Sequence, residues 1–219
     1  RGLSLYSRGY LEGIIAAQSQ INGGYIIDEM LTADTLGLVN ADFLKASKGR
    51  FSVTGRELSY TLAKETTGRQ RYTALALLSD RCRVNVYSND MDGRLEKASF
   101  CGYADYYDKM PAVFRSSKIN LNISLCTIQT GIPLRVLDIM GAGGFLLTNY
   151  CPELNEYMTE GKDFVSYIDA GDCCEKAVYY IEHEVERKKI AVNGHDRILD
   201  MFTYEHQIKK MFDVIRKEL

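Results

Sequence analysis

The chain has 219 residues, room for one full domain and a smaller appendage at about 150 residues per domain. Apolar types make up 46% and charged types 26%, which is enough to bury a core and unlike a disordered composition. Lys and Arg total 27 against 29 Asp and Glu, a net charge of −2, so a polyanion-binding surface is not expected, and no apolar run approaches the roughly 18 residues of a membrane span.

The six cysteines, Cys82, Cys101, Cys126, Cys151, Cys173 and Cys174, form no CxxC pair. A disulfide scaffold is shorter and denser in Cys, and zinc sites want closely paired ligands, so these read as reduced core or near-core thiols and imply a cytoplasmic setting. No initiator Met and no leader-like stretch opens the chain at Arg1, so it is expected to be a piece of a longer protein.

In chain order, residues 1–70 read as a helical segment. Leu11, Ile14, Ile15 and Gln18 share one helical face, and helix-like spacing resumes over Tyr25–Val39 after a break at Gly23 and Gly24. A third helix is expected over about Val53–Thr66. No chemical motif lies here, and the segment reads as an appendage or as half of an interface.

Residues 71–200 alternate instead. A helix near Tyr72–Leu78 leads to a strand at Arg83–Ser88, a turn at Asn89–Gly93 and a strand at Ala98–Cys101 ending at Gly102. Pro111–Ser116 reads as helix and Lys118–Ser124 as a strand alternating apolar and polar residues. Then come a helix at Pro133–Met140 and strands at Gly144–Thr148 and Phe164–Tyr167. A further helix is expected to open at Asp172, its N-cap, with Glu175 three residues on and an apolar face of Ala177, Val178, Ile181 and Val185. Residues 201–219 carry a last helix from Thr203, with Ile208, Phe212, Ile215 and Leu219 on one face. Short strands separated by helices predict an α/β fold with a doubly wound parallel sheet. Ligands of such sheets sit outside the carboxyl ends of the strands, here Asn89–Gly93, Gly102–Tyr107, Leu125–Pro133 and Asn149–Glu153.

The most informative stretch runs from Ser124 to Asn149. Gly131 precedes Pro133, whose fixed φ suits a helix start, and free N–H groups there attract anions. Thr127 and Thr130 offer hydroxyls in the loop. Arg135 falls in the first turn with a fork suited to phosphate oxygens, and Asp138, three residues on, shares its side of the helix. Two readings stay open from the residues alone: a site for a phosphate and a sugar hydroxyl, or an Arg–Asp pair in solvent.

Gly141, Gly143 and Gly144 follow a helix and precede a strand, so they read as a helix C-cap rather than a phosphate loop. Asp90 and Asp92 form a DxD that would suit a divalent metal bridging a diphosphate, yet Ser-Asn-Asp-Met-Asp-Gly is also ordinary turn chemistry, which is the preferred reading. His183, His195 and His206 sit in separate helical segments and read as surface or capping residues. The run Glu182–Lys189 reads as a solvated helix face. The Tyr-rich pieces at Tyr103, Tyr106 and Tyr107 and at Tyr179 and Tyr180 suit an interface, a core or a ligand cleft equally.

KINLNISLCTIQTGIPLRVLDIMGAGGFLLTN, CPELNEYMTEGKDFVSY and ERKKIAVNGHDRILDMFTYEHQIKKMF, in that order, resemble the carboxyl-terminal half of the CgeB-like (spore maturation protein B) glycosyltransferases. The likeness covers Lys118–Phe212 and fades towards Arg71. That group is related to the group 1 glycosyltransferases, with two facing Rossmann-like domains in the GT-B architecture. The resemblance implies a Rossmann-like donor-binding half that moves a sugar from a UDP- or GDP-linked nucleotide-sugar to an unidentified acceptor, with no cofactor and no metal.

It further implies Arg135 and Asp138 as the catalytic pair, and Tyr103, Ser124, Thr127, Thr130, Gly131, Thr148 and Asn149 as substrate-binding residues. In the larger group a Glu-x7-Glu pair bounds the donor site; its second position falls on Asp138, which would hold ribose or sugar hydroxyls, and its first on Thr130, a departure from the pattern. Arg135 and the amides near Gly131 would neutralise the diphosphate leaving group, and Tyr103 would stack on the base. The acceptor and any catalytic base would come from an amino-terminal domain, for which the chain lacks room, so this piece is expected to be inactive alone and to expose an apolar patch on its last helix. The alternative is a nucleotide-binding or protein-interaction module of the same fold that has lost catalysis, as the altered Thr130 would mark. A receiver-type signalling domain is disfavoured, because Leu-Cys-Thr follows KINLNIS where an acidic site would be needed.

Overall fold

The computed structural model describes residues 2–21, 23–90 and 93–218, which divide into two compact units. The first comprises residues 1–73 and 124–129, and the second residues 74–123 and 130–219.

The first unit is helical. Helices α1 (Leu5–Ser19), α2 (Ile27–Met30), α3 (Ala33–Ser47) and the first part of α4 (Gly55–Arg81) enclose a core of Leu11, Ile14, Ile15, Ile27, Val39, Leu58, Leu62 and Ala63. The α1 face expected from spacing is the buried one, Gln18 included. Gln18 is buried for a polar reason: its amide donates to the Gly24 carbonyl at 2.9 Å and accepts from the Ile26 N–H at 2.9 Å, closing the turn between α1 and α2. The caps are side-chain made. Asp42 Oδ2 accepts from Ser4 N, Ser4 Oγ and Ser7 Oγ at 2.9, 2.7 and 2.6 Å, and Thr54 and Glu57 form a reciprocal capping box at the start of α4. Helix α4 runs unbroken over 27 residues where the sequence suggested two helices. Gly68 lies inside it, costing about 0.5–1 kcal/mol relative to Ala; Leu62 and Thr66 before it and Ala74 and Leu78 after it are buried.

The second unit is mixed α/β, and every strand pair in it is parallel. Strand β1 (Asn85–Val86) pairs with β2 (Ser99–Phe100). After α5 (Met110–Ser116), β3 (Asn120–Asn122), β4 and β5 form a second sheet in the order β3-β4-β5. Helix α6 (Leu134–Gly141) links β3 to β4 (Leu146–Asn149), and α7 (Leu154–Tyr157) precedes β5 (Val165–Tyr167). Helices α8 (Ala170–Glu182), α9 (Glu184–Met201) and α10 (Tyr204–Glu218) complete the unit.

Successive residues of β4 point to opposite faces. Leu147 packs with Val165, Tyr167, Cys173, Cys174, Ala177 and Ile190, while Leu146 packs with Val136, Ile139 and Met140 of α6 and Ile198 of α9. Helices therefore cover both faces of this sheet. That explains β3, whose polar residues are its most buried: Asn120 donates to the Phe114 carbonyl at 2.9 Å and Asn122 to Thr148 Oγ1 at 3.0 Å. Gly194 brings α9 against the 159–163 turn, since a Cβ there would collide with the Asp163 carbonyl.

Three local readings shift. The N-cap of α8 is Asp169, which accepts from the Asp172 N–H at 2.8 Å, so the helix begins three residues earlier than expected. Val185 is exposed at the start of α9 and takes no part in the α8 face. Within the run 182–189, Arg187 is buried, donating to the carbonyls of Tyr180 and Ile181 at the end of α8, which is where a cation complements a helix terminus.

All six cysteines are free thiols; burial, with neighbouring thiols, pushes Cys173 up to about 12. On α10, Ile208, Met211, Phe212 and Ile215 stay at least half exposed, and Leu219 lies outside the described residues. Among the described residues no helix is long and apolar enough to cross a membrane.

Candidate functional site

The second unit gathers its unspent chemistry at the carboxyl ends of its strands. The chain leaves β3 at Asn122 and re-enters the unit at Thr130, where Gly131 takes a φ of +88°, a conformation that a side chain would strain. Pro133 is the N-cap of α6, one position outside the helix. Arg135 then lies in the first turn with its side chain exposed. Its guanidinium donates to the Met110 sulfur and lies 5.6 Å from the centroid of the Phe114 ring. A ring and a thioether hold the plane of the fork, and among the described residues no carboxylate forms an ion pair with it.

Asp138, one turn on, does not pair with Arg135. It accepts from Tyr106 Oη at 2.8 Å, and that hydrogen bond to the carboxylate holds the Tyr106 hydroxyl above its ordinary range. Tyr106 comes from the turn after β2. There Asp105 Oδ1 accepts from the N–H groups of Tyr107 and Asp108 at 2.9 and 3.0 Å, which holds its carboxyl below the usual carboxylate range.

Tyr103, just beyond Gly102, is 60% exposed. Lys109 lies close by, 3.5 Å from the Tyr103 carbonyl and 5.5 Å from the Tyr87 ring centroid. Asn149 ends β4 half-buried. Thr148 is fully buried: it accepts from Asn122 and donates to the Asn149 carbonyl at 3.1 Å, so its hydroxyl supports the strand ends and does not reach solvent.

Of the residues singled out from the sequence, Tyr103, Thr130, Gly131, Arg135, Asp138, Thr148 and Asn149 thus belong to the second unit, whereas Ser124 and Thr127 belong to the first. There the segment is held by Cys126, whose N–H donates to Thr67 Oγ1 at 3.2 Å. The residue that sequence reasoning missed is Tyr106. It appeared only as one of several tyrosines, and no local signal ties it to a carboxylate 32 residues away.

The other candidates are locally engaged. Asp90 is exposed in a turn where its N–H donates to Ser88 Oγ, and Asp92 lies outside the described residues. Among the described residues no group of three His, Cys, Asp or Glu is gathered as a metal ligand set. His183 and His195 hydrogen-bond backbone carbonyls, and His206 bonds Thr203.

Residues 48–213 match the glycosyl transferase-like family, well over half of the chain, and the chain belongs to that family. No curated protein shows significant similarity to it.

Proposed function

We propose that this glycosyl transferase-like chain is the donor-binding half of a CgeB-like enzyme of GT-B architecture, its strands forming a Rossmann-like doubly wound sheet. It would transfer a sugar from a UDP- or GDP-linked donor to an acceptor presented by an amino-terminal domain of a longer protein. The observation that carries the reading is Arg135: an exposed guanidinium in the first turn of α6, resting on Met110 and Phe114 and paired with no carboxylate among the described residues.

In this reading the fork of Arg135 and the amides near Gly131 bind the diphosphate. As the bond between the sugar carbon and the phosphate oxygen breaks, negative charge grows on that oxygen, and a prepositioned cation stabilises it. Asp138 holds the ribose hydroxyls, Tyr103 stacks on the base, and Thr130 and Asn149 line the donor. The charge is met by side chains and amides, so no metal is called for. The exposed apolar face of α10 would pack on the rest of the longer protein.

Thr130, where an acid is expected, supports a second reading, a nucleotide-binding module without transfer. That reading predicts nucleotide binding and no sugar transfer in the longer protein.

The test is thermal unfolding against UDP, GDP, ADP, their sugars and NAD, with and without Mg²⁺. A ligand at a hundred times its Kd stabilises by about 2.7 kcal/mol, a rise of a few degrees. A metal-independent rise with one nucleoside diphosphate is expected. No rise with any of them contradicts the donor-site reading, and a rise that requires Mg²⁺ transfers weight to Asp90 and Asp92.

A further inference from the structure

We infer that Tyr106 is a positioning residue: its hydroxyl fixes the Asp138 carboxylate so that one oxygen is committed to the protein and the other is presented to the donor's ribose hydroxyls. This rests on the reading of Asp138 given above.

The bond runs from Tyr106 Oη to Asp138 Oδ1 at 2.8 Å. An ionised carboxylate accepts through both oxygens, and a phenol hydroxyl has one proton to give. Tyr106 therefore takes one lone-pair site of Oδ1 and leaves Oδ2 the less engaged acceptor. On a half-exposed helix face an aspartate would otherwise sample several rotamers, and selecting one in advance reduces what binding must order.

Tyr106 is itself held. Asp105 closes its turn through the N–H groups of Tyr107 and Asp108, and the Met110 N–H donates to the Asp105 carbonyl at 2.8 Å. The Tyr107 ring packs edge-on at 5.1 Å. Helix α5, which follows the turn, is tied to the end of α6 by Arg115 Nε donating to the Ala142 carbonyl at 3.2 Å. The element that carries the tyrosine is thereby fastened to the helix that carries the aspartate. The ring is 42% exposed, so packing alone does not account for its place, and the carboxylate holds its hydroxyl above the ordinary range, where it remains a donor at neutral pH.

The test compares the affinities of wild type, Tyr106→Phe, Asp138→Asn and the double variant. The ligands are whichever of UDP, GDP and ADP binds and its 2′,3′-dideoxy counterpart, with thermal unfolding confirming that each variant is folded. Wild type is expected to prefer the ribonucleotide. Tyr106→Phe should weaken ribonucleotide binding about 3- to 10-fold, leave the dideoxy ligand unchanged, and add nothing in the Asp138→Asn background. The inference is overturned if Tyr106→Phe changes nothing, weakens both ligands alike, or adds its full effect to Asp138→Asn. A wild type that binds without preferring ribose removes the role of Asp138 and this inference with it, whereas a wild type that binds none of the three removes the donor site as a whole.

Discussion

In the first unit several polar side chains are committed to caps and turns, although the buried Thr66 hydroxyl has no partner among the described residues, whereas Arg135 and Tyr103 beside the strand ends of the second unit are exposed. Asp42 gathers three donors from Ser4 and Ser7, Glu57 and Thr54 cap each other, and Gln18 closes a turn from inside the core. Arg135, by contrast, rests on a sulfur and a ring, and Tyr103 projects into solvent. Satisfied polar groups specify a structure, and an exposed charge with no ion pair among the described residues is available to a ligand.

The comparison breaks if substitutions in the first unit alter nucleotide binding while the protein stays folded. The largest stability effect is expected from Ile14→Ala, which opens a cavity at a fully buried position and should cost about 2–5 kcal/mol, read as a fall in Tm with Kd unchanged below the transition. Gln18→Ala should cost about 1–3 kcal/mol, because it removes two hydrogen bonds that close the turn, to the Gly24 carbonyl and from the Ile26 N–H, each worth about 0.5–1.5 kcal/mol.

The smallest effect sharpens the contrast through pH. Hydrogen bonds from Ser4 and Ser7 hold the Asp42 carboxyl below its usual range. A depressed folded-state value contributes stability above the unfolded pKa of about 3.9 and loses it as pH falls through the folded value. Wild type should therefore be more stable than Asp42→Asn at pH 7, with the gap closing in acid denaturation below about pH 4. A gap that is constant with pH would show that the carboxylate charge is immaterial to the cap.

Much of the scaffold is legible in the sequence because it is periodic. The α1 face and most of the helices and strands of the second unit follow from spacings of 3.6 and 2, whereas the short α7 and the division between α8 and α9 do not. The differences arise where tertiary contacts decide. The sequence reads as two helices, over about Val53–Thr66 and near Tyr72–Leu78, yet α4 is one helix, with buried residues on either side of Gly68. Asp169 and Asp172 are both plausible caps three residues apart, and only the hydrogen bond to the Asp172 N–H selects the first. Arg187 looks solvated among charged neighbours until the end of α8 is placed beside it. Asn120 and Asn122 are polar positions of a strand read as alternating apolar and polar residues, and they are its most buried residues because helices cover both faces of the sheet.

The candidate site divides in the same way. Gly131, Pro133, Arg135 and Asp138 lie within eight residues of one another, so the sequence alone brings an anion-binding helix start into view, beside the alternative of an Arg–Asp pair in solvent. Tyr106 is not in view, since its partner is set by how the turn after β2 meets α6. The interior place of Thr148 depends likewise on Asn122 across the strands.

The most direct test of the account is a titration of UDP and GDP into wild type and Arg135→Ala, with the Tm of both proteins recorded. Because Arg135 is exposed and forms no ion pair among the described residues, the substitution should cost no more than about 1 kcal/mol of stability, through its contacts with Met110 and Phe114, and weaken the nucleotide that binds by about tenfold or more. Equal affinity for wild type and the variant, at equal Tm, would contradict the assignment of this edge of the second unit as the donor site.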